Sequence, residues 1–171
     1  MFSKVKGVSL TAVGYSQGVT RNPTYDEVAS GRTNHNEVVR VTFDPLVVGY
    51  TELLKTFWDH HDPTTPMRQG NDVGTQYRSG IYYHSPQQRE QALESRRVFQ
   101  AALAKAGHAG QICTEIEPAG EFYFAEEYHQ QYDSKPGSRQ YCGLRPLGVS
   151  YPGTYGSGGM FGHRGISTPS V

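Results

Sequence analysis

Glu37-Val38-Val39-Arg40-Val41-Thr42-Phe43 alternates strictly, with Val39, Val41 and Phe43 on one side of an extended chain and Val38, Arg40 and Thr42 on the other. That period of two, rich in β-branched residues, predicts a strand with one side on a core. Glu37 shares the parity of Val39, Val41 and Phe43, so the same alternation directs its carboxylate toward the buried side. Desolvation there favours the neutral acid and raises its pKa, which turns a carboxyl into a proton donor near neutrality. The competing reading of the same residues is a strand-end carboxylate that reaches water or pairs with an arginine.

Upstream, Val8 to Tyr15 alternates small apolar and polar residues and predicts a second strand, and Tyr25 to Ala29 predicts a short helical turn broken at Ser30-Gly31. Downstream, Thr51 is the expected N-cap of a helix that places Leu53, Leu54, Phe57, Trp58 and His61 on one stripe before Asp62-Pro63 stops it. Residues 64–78 have no period and are expected to form a long ordered loop. Gly80 to His84 reads as a strand, and Ser85-Pro86-Gln87-Gln88 as a capping box with proline at the first helical position. The helix that follows should run to about Ala106, bury Ala92, Phe99, Ala102 and Leu103, and stop at Gly107. Ile112 to Ile116 predicts another strand, Phe122 to Ala125 an aromatic stretch, and Glu126 to Tyr132 a short polar helix. This order predicts an α/β (α+β) fold: a two-layer α/β sandwich with a mixed, mostly antiparallel sheet, helices packed on it and an irregular C-terminal tail. The expected boundary lies between a domain over 1–150 and a Gly- and Ser-rich tail over 151–171.

The 171 residues suit a single domain, and 16 basic residues balance 16 acidic ones, so no basic surface is available for nucleic acid or an anionic membrane. No apolar run is long enough to span a bilayer and no secretory leader is apparent, which gives a cytoplasmic expectation. Two cysteines, Cys113 and Cys142, exclude a disulfide scaffold. Cys113 reads as a small sheet residue, whereas Cys142, in a Gly- and Pro-bearing segment, can swing to exchange with a partner sulfur. The seven histidines include no i, i+4 pair, so no metal site is expected. Gly70-Asn71-Asp72-Val73-Gly74-Thr75-Gln76-Tyr77 has the composition of a ligand-binding loop but lacks the Lys-Ser or Lys-Thr of a phosphate loop.

Asn22-Pro23-Thr24-Tyr25, the run from Gly31 to Arg40, Phe57-Trp58-Asp59-His60-His61-Asp62-Pro63-Thr64, the run from Arg68 to Ser79, Tyr128-His129-Gln130-Gln131-Tyr132 and Tyr141-Cys142-Gly143-Leu144 occur in that order. Together they resemble the A-type peptide methionine sulfoxide reductases over about Gly7 to Gly148. The resemblance implies reduction of methionine S-sulfoxide, free or in proteins, by thiol chemistry without a metal or other cofactor. It implies that Glu37 is the acid, that Tyr25 and Tyr77 are hydroxyl donors to the sulfoxide oxygen, and that Asp72, His129 and Tyr132 shape the substrate pocket. Cys142 matches the resolving thiol, which captures a sulfenic acid as a disulfide that thioredoxin or dithiothreitol can reduce. The implied partners are oxidised peptides and proteins and a thioredoxin-type reductant, with no nucleic acid or membrane, for a monomer. The family's nucleophile lies in a Gly-Cys-Phe-Trp-Gly run that these residues do not contain, and neither Cys113 nor Cys142 has that context. The expectation is therefore a chain truncated at its N-terminus and lacking the nucleophile. The alternative is a catalytically inactive isoform that at most binds oxidised methionine.

Overall fold

The structure is a computed structural model that describes residues 1–132, 135 and 144–153. A 3-10 turn over Phe2–Lys4 leads into β1 (Val8–Ser16), followed by α1 (Tyr25–Ala29), β2 (Asn36–Phe43) and α2 (Tyr50–Asp59). A two-residue hairpin, β3 (Arg68–Gln69) and β4 (Asp72–Val73), and a 3-10 turn over Thr75–Tyr77 precede β5 (Gly80–Tyr83), α3 (Pro86–Lys105), β6 (Glu115–Pro118) and β7 (Tyr123–Phe124). β2, β1 and β7 form an antiparallel group in that order, and β5 pairs with β6 in parallel. The parallel pair needs a crossover connection, and α3 supplies it. Among the described residues this is the expected mixed, mostly antiparallel sheet with helices packed on it.

The β1–β2 ladder runs from Val8↔Phe43 to Ser16↔Asn36, with one irregularity between Val8 and Leu10. It sets Val41 and Phe43 into a core shared with Leu53, Leu54 and Trp58 of α2, Ile81 of β5, and Ala92, Phe99 and Leu103 of α3. The Trp58 and Phe99 rings stack at 5.5 Å between centroids. A buried indole must find an acceptor for its N–H. Here Trp58 Nε1 donates to the Ser95 hydroxyl at 2.9 Å, and that hydroxyl donates in turn to the Ala92 carbonyl at 2.8 Å.

The helix stops follow from local chemistry, with adjustments. α3 begins at Ser85, whose hydroxyl accepts from the Gln88 N–H, but the Gln88 side chain reaches the N–H of His84 rather than that of the cap residue. Gly107, at φ +87°, supplies the left-handed stop. α2 is capped by Gly49, not Thr51, because the chain is already helical at Tyr50, which the core buries. Ile112 to Ile116 is not one strand: pairing with β5 begins at Glu115, and the N–H of Cys113 is taken instead by the Pro63 carbonyl at 2.9 Å. The loop over 64–78 holds the β3–β4 hairpin and the 3-10 turn, elements too short to carry a sequence period. Glu126 to Tyr132 is a series of turns rather than a helix. Tyr151 is 4 % exposed, stacks 6.2 Å from Phe99 and donates its N–H to the Asp59 carboxylate, so the packed region extends past the expected boundary at residue 150. Residues 154–171 lie outside the described ones.

Ser95→Ala removes the acceptor of a buried indole without opening a large cavity. The expected cost is about 1–3 kcal/mol, read as a lower urea midpoint with an unchanged slope.

Candidate active site

A cleft of about 700 Å3 opens where β2 begins, lined by Tyr15, Tyr25, Glu37, Asp72, Tyr77, His129 and Tyr132 together with Val13, Gly14, Val38, Val39 and Ala125. The six expected site residues within the described chain thus meet, although they come from α1, β2, β4, the 3-10 turn and the turns after β7. The seventh, Cys142, lies outside the described residues.

Glu37 pairs with Tyr15 across the β1–β2 ladder. It has the parity of the core-facing valines, yet its side chain is exposed into the cleft rather than buried in the core. Val39 packs against the core margin and also lines the cleft, so it marks where one passes into the other. The lining residues of the cleft form walls around the carboxyl. Desolvation by those walls, with the nearby Asp72 carboxylate added, pushes the Glu37 pKa up to about 7. The acid is half protonated near neutrality, as the alternation of β2 implied, though a cleft and not a core produces the shift.

Tyr77 ends the 3-10 turn, and desolvation followed by the Glu37 charge pushes its phenol up. Tyr25 is the first residue of α1, and its hydroxyl makes no hydrogen bond to a described residue. Its ring lies 4.7 Å from that of His129, which also meets Tyr128 at 4.3 Å. The Nε2 of His129 is buried without a hydrogen-bond partner among the described residues. Tyr132 stands at the rim, 46 % exposed.

Side-chain amides hold the turns that carry His129 and Tyr132. β7 pairs with β1 only at Gly14 and Tyr15. Beyond it, the Gln130 amide takes over as a substitute strand, accepting from the Val13 N–H at 3.0 Å and donating to the carbonyls of Val13 and Ala125 at 2.8 and 2.9 Å. Gln131 donates to the Thr11 carbonyl at 2.8 Å. Gly14 is required at this crossing, because a Cβ there would collide with the Tyr123 carbonyl oxygen and the Phe122 ring. Neither glutamine stood out in sequence, since a polar run in a turn has no period that reveals which backbone it serves.

Cys113 is exposed and does not line the cleft. Its thiol donates to the Pro63 carbonyl at 3.1 Å, and desolvation with the Asp62 charge pushes its pKa up, the opposite of an activated nucleophile. No group of His, Cys, Asp and Glu among the described residues could hold a metal ion, and none of their helices is long and apolar enough to cross a membrane.

Residues 1–149 match the family described as Peptide methionine sulfoxide reductase. The chain belongs to that family. It is 59% identical over 152 residues to Peptide methionine sulfoxide reductase MsrA 1 of Caulobacter vibrioides, covering 89% of this chain and 69% of that protein. It is 56% identical to the MsrA of Vibrio vulnificus, covering 89% and 72%. Methionine sulfoxide reductase A of Corynebacterium diphtheriae superposes with a TM-score of 0.73 at 44% identity over 84% of this chain and 75% of that one. Mxr1 of Saccharomyces cerevisiae in reduced form does so at 0.70 and 35%, over 82% and 78%. The family's activity is reduction of methionine sulfoxide, a reductive repair of oxidised methionine, and the names of these relatives give no support to an inactive isoform.

The raised Glu37 pKa links stability to pH. Between the ordinary carboxylate range and about 7 the folded reductase retains a proton that the unfolded chain has released, so stability falls as pH rises through that window. Melting temperatures measured at about pH 5 and about pH 8 should drop more for the wild type than for Glu37→Gln, which cannot ionise.

Proposed function

We propose that the cleft holds the S=O group of methionine S-sulfoxide with its oxygen facing Glu37, Tyr25 and Tyr77. The observation that carries this reading is the Glu37 carboxyl, with a pKa of about 7, sharing a cleft of about 700 Å3 with the phenols of Tyr25 and Tyr77. A sulfoxide oxygen is a strong acceptor and a poor leaving group. Hydrogen bonds from Tyr25 and Tyr77 polarise it, and neutral Glu37 transfers its proton as a thiolate attacks sulfur. The S–O bond then breaks as the hydroxyl passes to the attacking sulfur, and the sulfur–sulfur bond of the adduct breaks with its electron pair going to methionine. Methionine thus leaves reduced and the attacking sulfur is left as a sulfenic acid. A second thiol condenses with that sulfenic acid, releasing water and forming a disulfide, and two electrons from an external dithiol restore both thiols.

Asp72, Tyr132 and the Nε2 of His129 are the groups assigned to the peptide around the sulfoxide. Cys142 is assigned as the resolving thiol and a thioredoxin-type protein as reductant, with dithiothreitol as its laboratory substitute. The attacking thiolate is not among the described residues that line the cleft. The protein acts as a monomer in the cytoplasm, where thiols are kept reduced.

Titration calorimetry with a short peptide carrying methionine S-sulfoxide tests the reading. If only the neutral acid binds, the dissociation constant is flat below about pH 7 and rises about tenfold per unit above it, while Glu37→Gln binds without that dependence. Tyr77→Phe should weaken binding about tenfold, the order of one lost hydrogen bond. Affinity unchanged from pH 6 to pH 9, or equal affinity for the R-epimer, would contradict the assignment.

A further inference from the structure

Glu37 and Asp72 line this cleft and both have a part in the reading above, whereas a third carboxyl, Glu126, stands behind the lining and has none. Glu126 follows Ala125 at the edge of a small apolar cluster formed by Tyr15, Val28 and Ala125, separate from the main core and backed by Val13 and Tyr25. Its two oxygens are divided between two donors: Oε2 accepts the Tyr15 hydroxyl at 2.7 Å, and Oε1 accepts the backbone N–H of Tyr25 at 2.8 Å. Both donors belong to residues that line the cleft, and both lie more than 100 positions away in the chain.

α1 has only five residues, too few to hold a position by its own hydrogen bonds. Within it, Thr24 and Glu27 cap each other, which satisfies the N–H groups of those two residues but not that of Tyr25. The Tyr25 N–H would be an orphan of the first turn without Glu126. This carboxylate is thus the tether that joins the start of α1 to β1 and to the turns after β7. It also commits the Tyr15 hydroxyl. Tyr15 in turn pairs with Glu37 across the ladder.

Resting on the assignment of Tyr25 as an oxygen-binding hydroxyl, we propose that Glu126 is a positioning residue for the reductase reaction: it sets where Tyr25 stands in the cleft. Its ionisation suits that task. Burial works against the charge, but the hydrogen bonds from Tyr15, its own backbone and Tyr25, with His129 nearby, outweigh it and hold the carboxyl below the usual range. Glu126 therefore accepts from both donors throughout the range in which Glu37 titrates. A glutamine at 126 has one acceptor oxygen and must turn an N–H2 toward one of the two donors.

A double-mutant cycle on the full chain separates this role from general support of the fold. The readout is the affinity for the methionine S-sulfoxide peptide, with thermal melts on every variant. Tyr25→Phe alone tests the underlying assignment and should weaken binding about tenfold. Glu126→Gln should weaken it about five- to tenfold in the wild-type background and less than twofold in the Tyr25→Phe background, because the hydroxyl it positions is already gone. Equal losses in the two backgrounds overturn the proposal and leave Tyr25 in place. An unaltered affinity in Tyr25→Phe overturns the assignment and this proposal with it. Should Glu126→Gln fail to melt cooperatively, Glu126→Asp, which keeps the charge with a shorter reach, takes its place in the same cycle with the same expected non-additivity.

Discussion

The register of β1 against β2 is the constraint on which the rest of the molecule depends. It pairs Thr11 with Val41 and Tyr15 with Glu37, so one ladder aligns the core at one end and the cleft at the other. Side chains alternate with a period of two, and a slip of one residue would move Val41 and Phe43 out of the core and turn Glu37 to the opposite face. Hydrophobic burial of Val41, fully enclosed among α2, β5 and α3, therefore holds the Glu37 carboxyl in place from four residues away. The free energy that fixes the site is spent in the core.

Glu37 and Glu126 illustrate how one site gives two carboxyl groups opposite assignments. Glu37 has protein walls and the Asp72 charge around it, so the neutral acid is favoured. Glu126 receives hydrogen bonds from a phenol and a backbone N–H, so the anion is favoured. Environments that drive two acids apart separate a proton donor from a fixed acceptor. Tyr15 lies between them, and its phenol is driven up first by burial, then by its bond to Glu126, and further by the Glu37 charge. It is locked as a donor to Glu126.

Much of the architecture was legible because it rests on local periodicity. β2 announced itself through Val39, Val41 and Phe43, α3 through Ser85-Pro86 at one end and Gly107 at the other, and the packing of Trp58 through its helical stripe. The misplaced boundaries have a common cause, tertiary competition for backbone groups. The Pro63 carbonyl takes the Cys113 N–H and delays β6, and Gln130 occupies the backbone of β1 where a longer β7 would otherwise pair. Glu126 to Tyr132 lost its expected helix because its glutamines bond to β1 instead of facing water.

The amino-acid order alone determined which segments are extended and which are helical, since periods of 2 and 3.6 depend only on backbone geometry. Its motifs also pointed to the chemistry of the site through Glu37, Tyr25 and Tyr77. Only the tertiary structure decided that these groups share a cleft, that Glu37 faces water through that cleft instead of the core, and that Glu126 reaches Tyr15 and Tyr25. The physical reason is distance along the chain. Contacts between residues more than 100 positions apart are set by how the ladder and the helices pack, and no local pattern encodes their geometry.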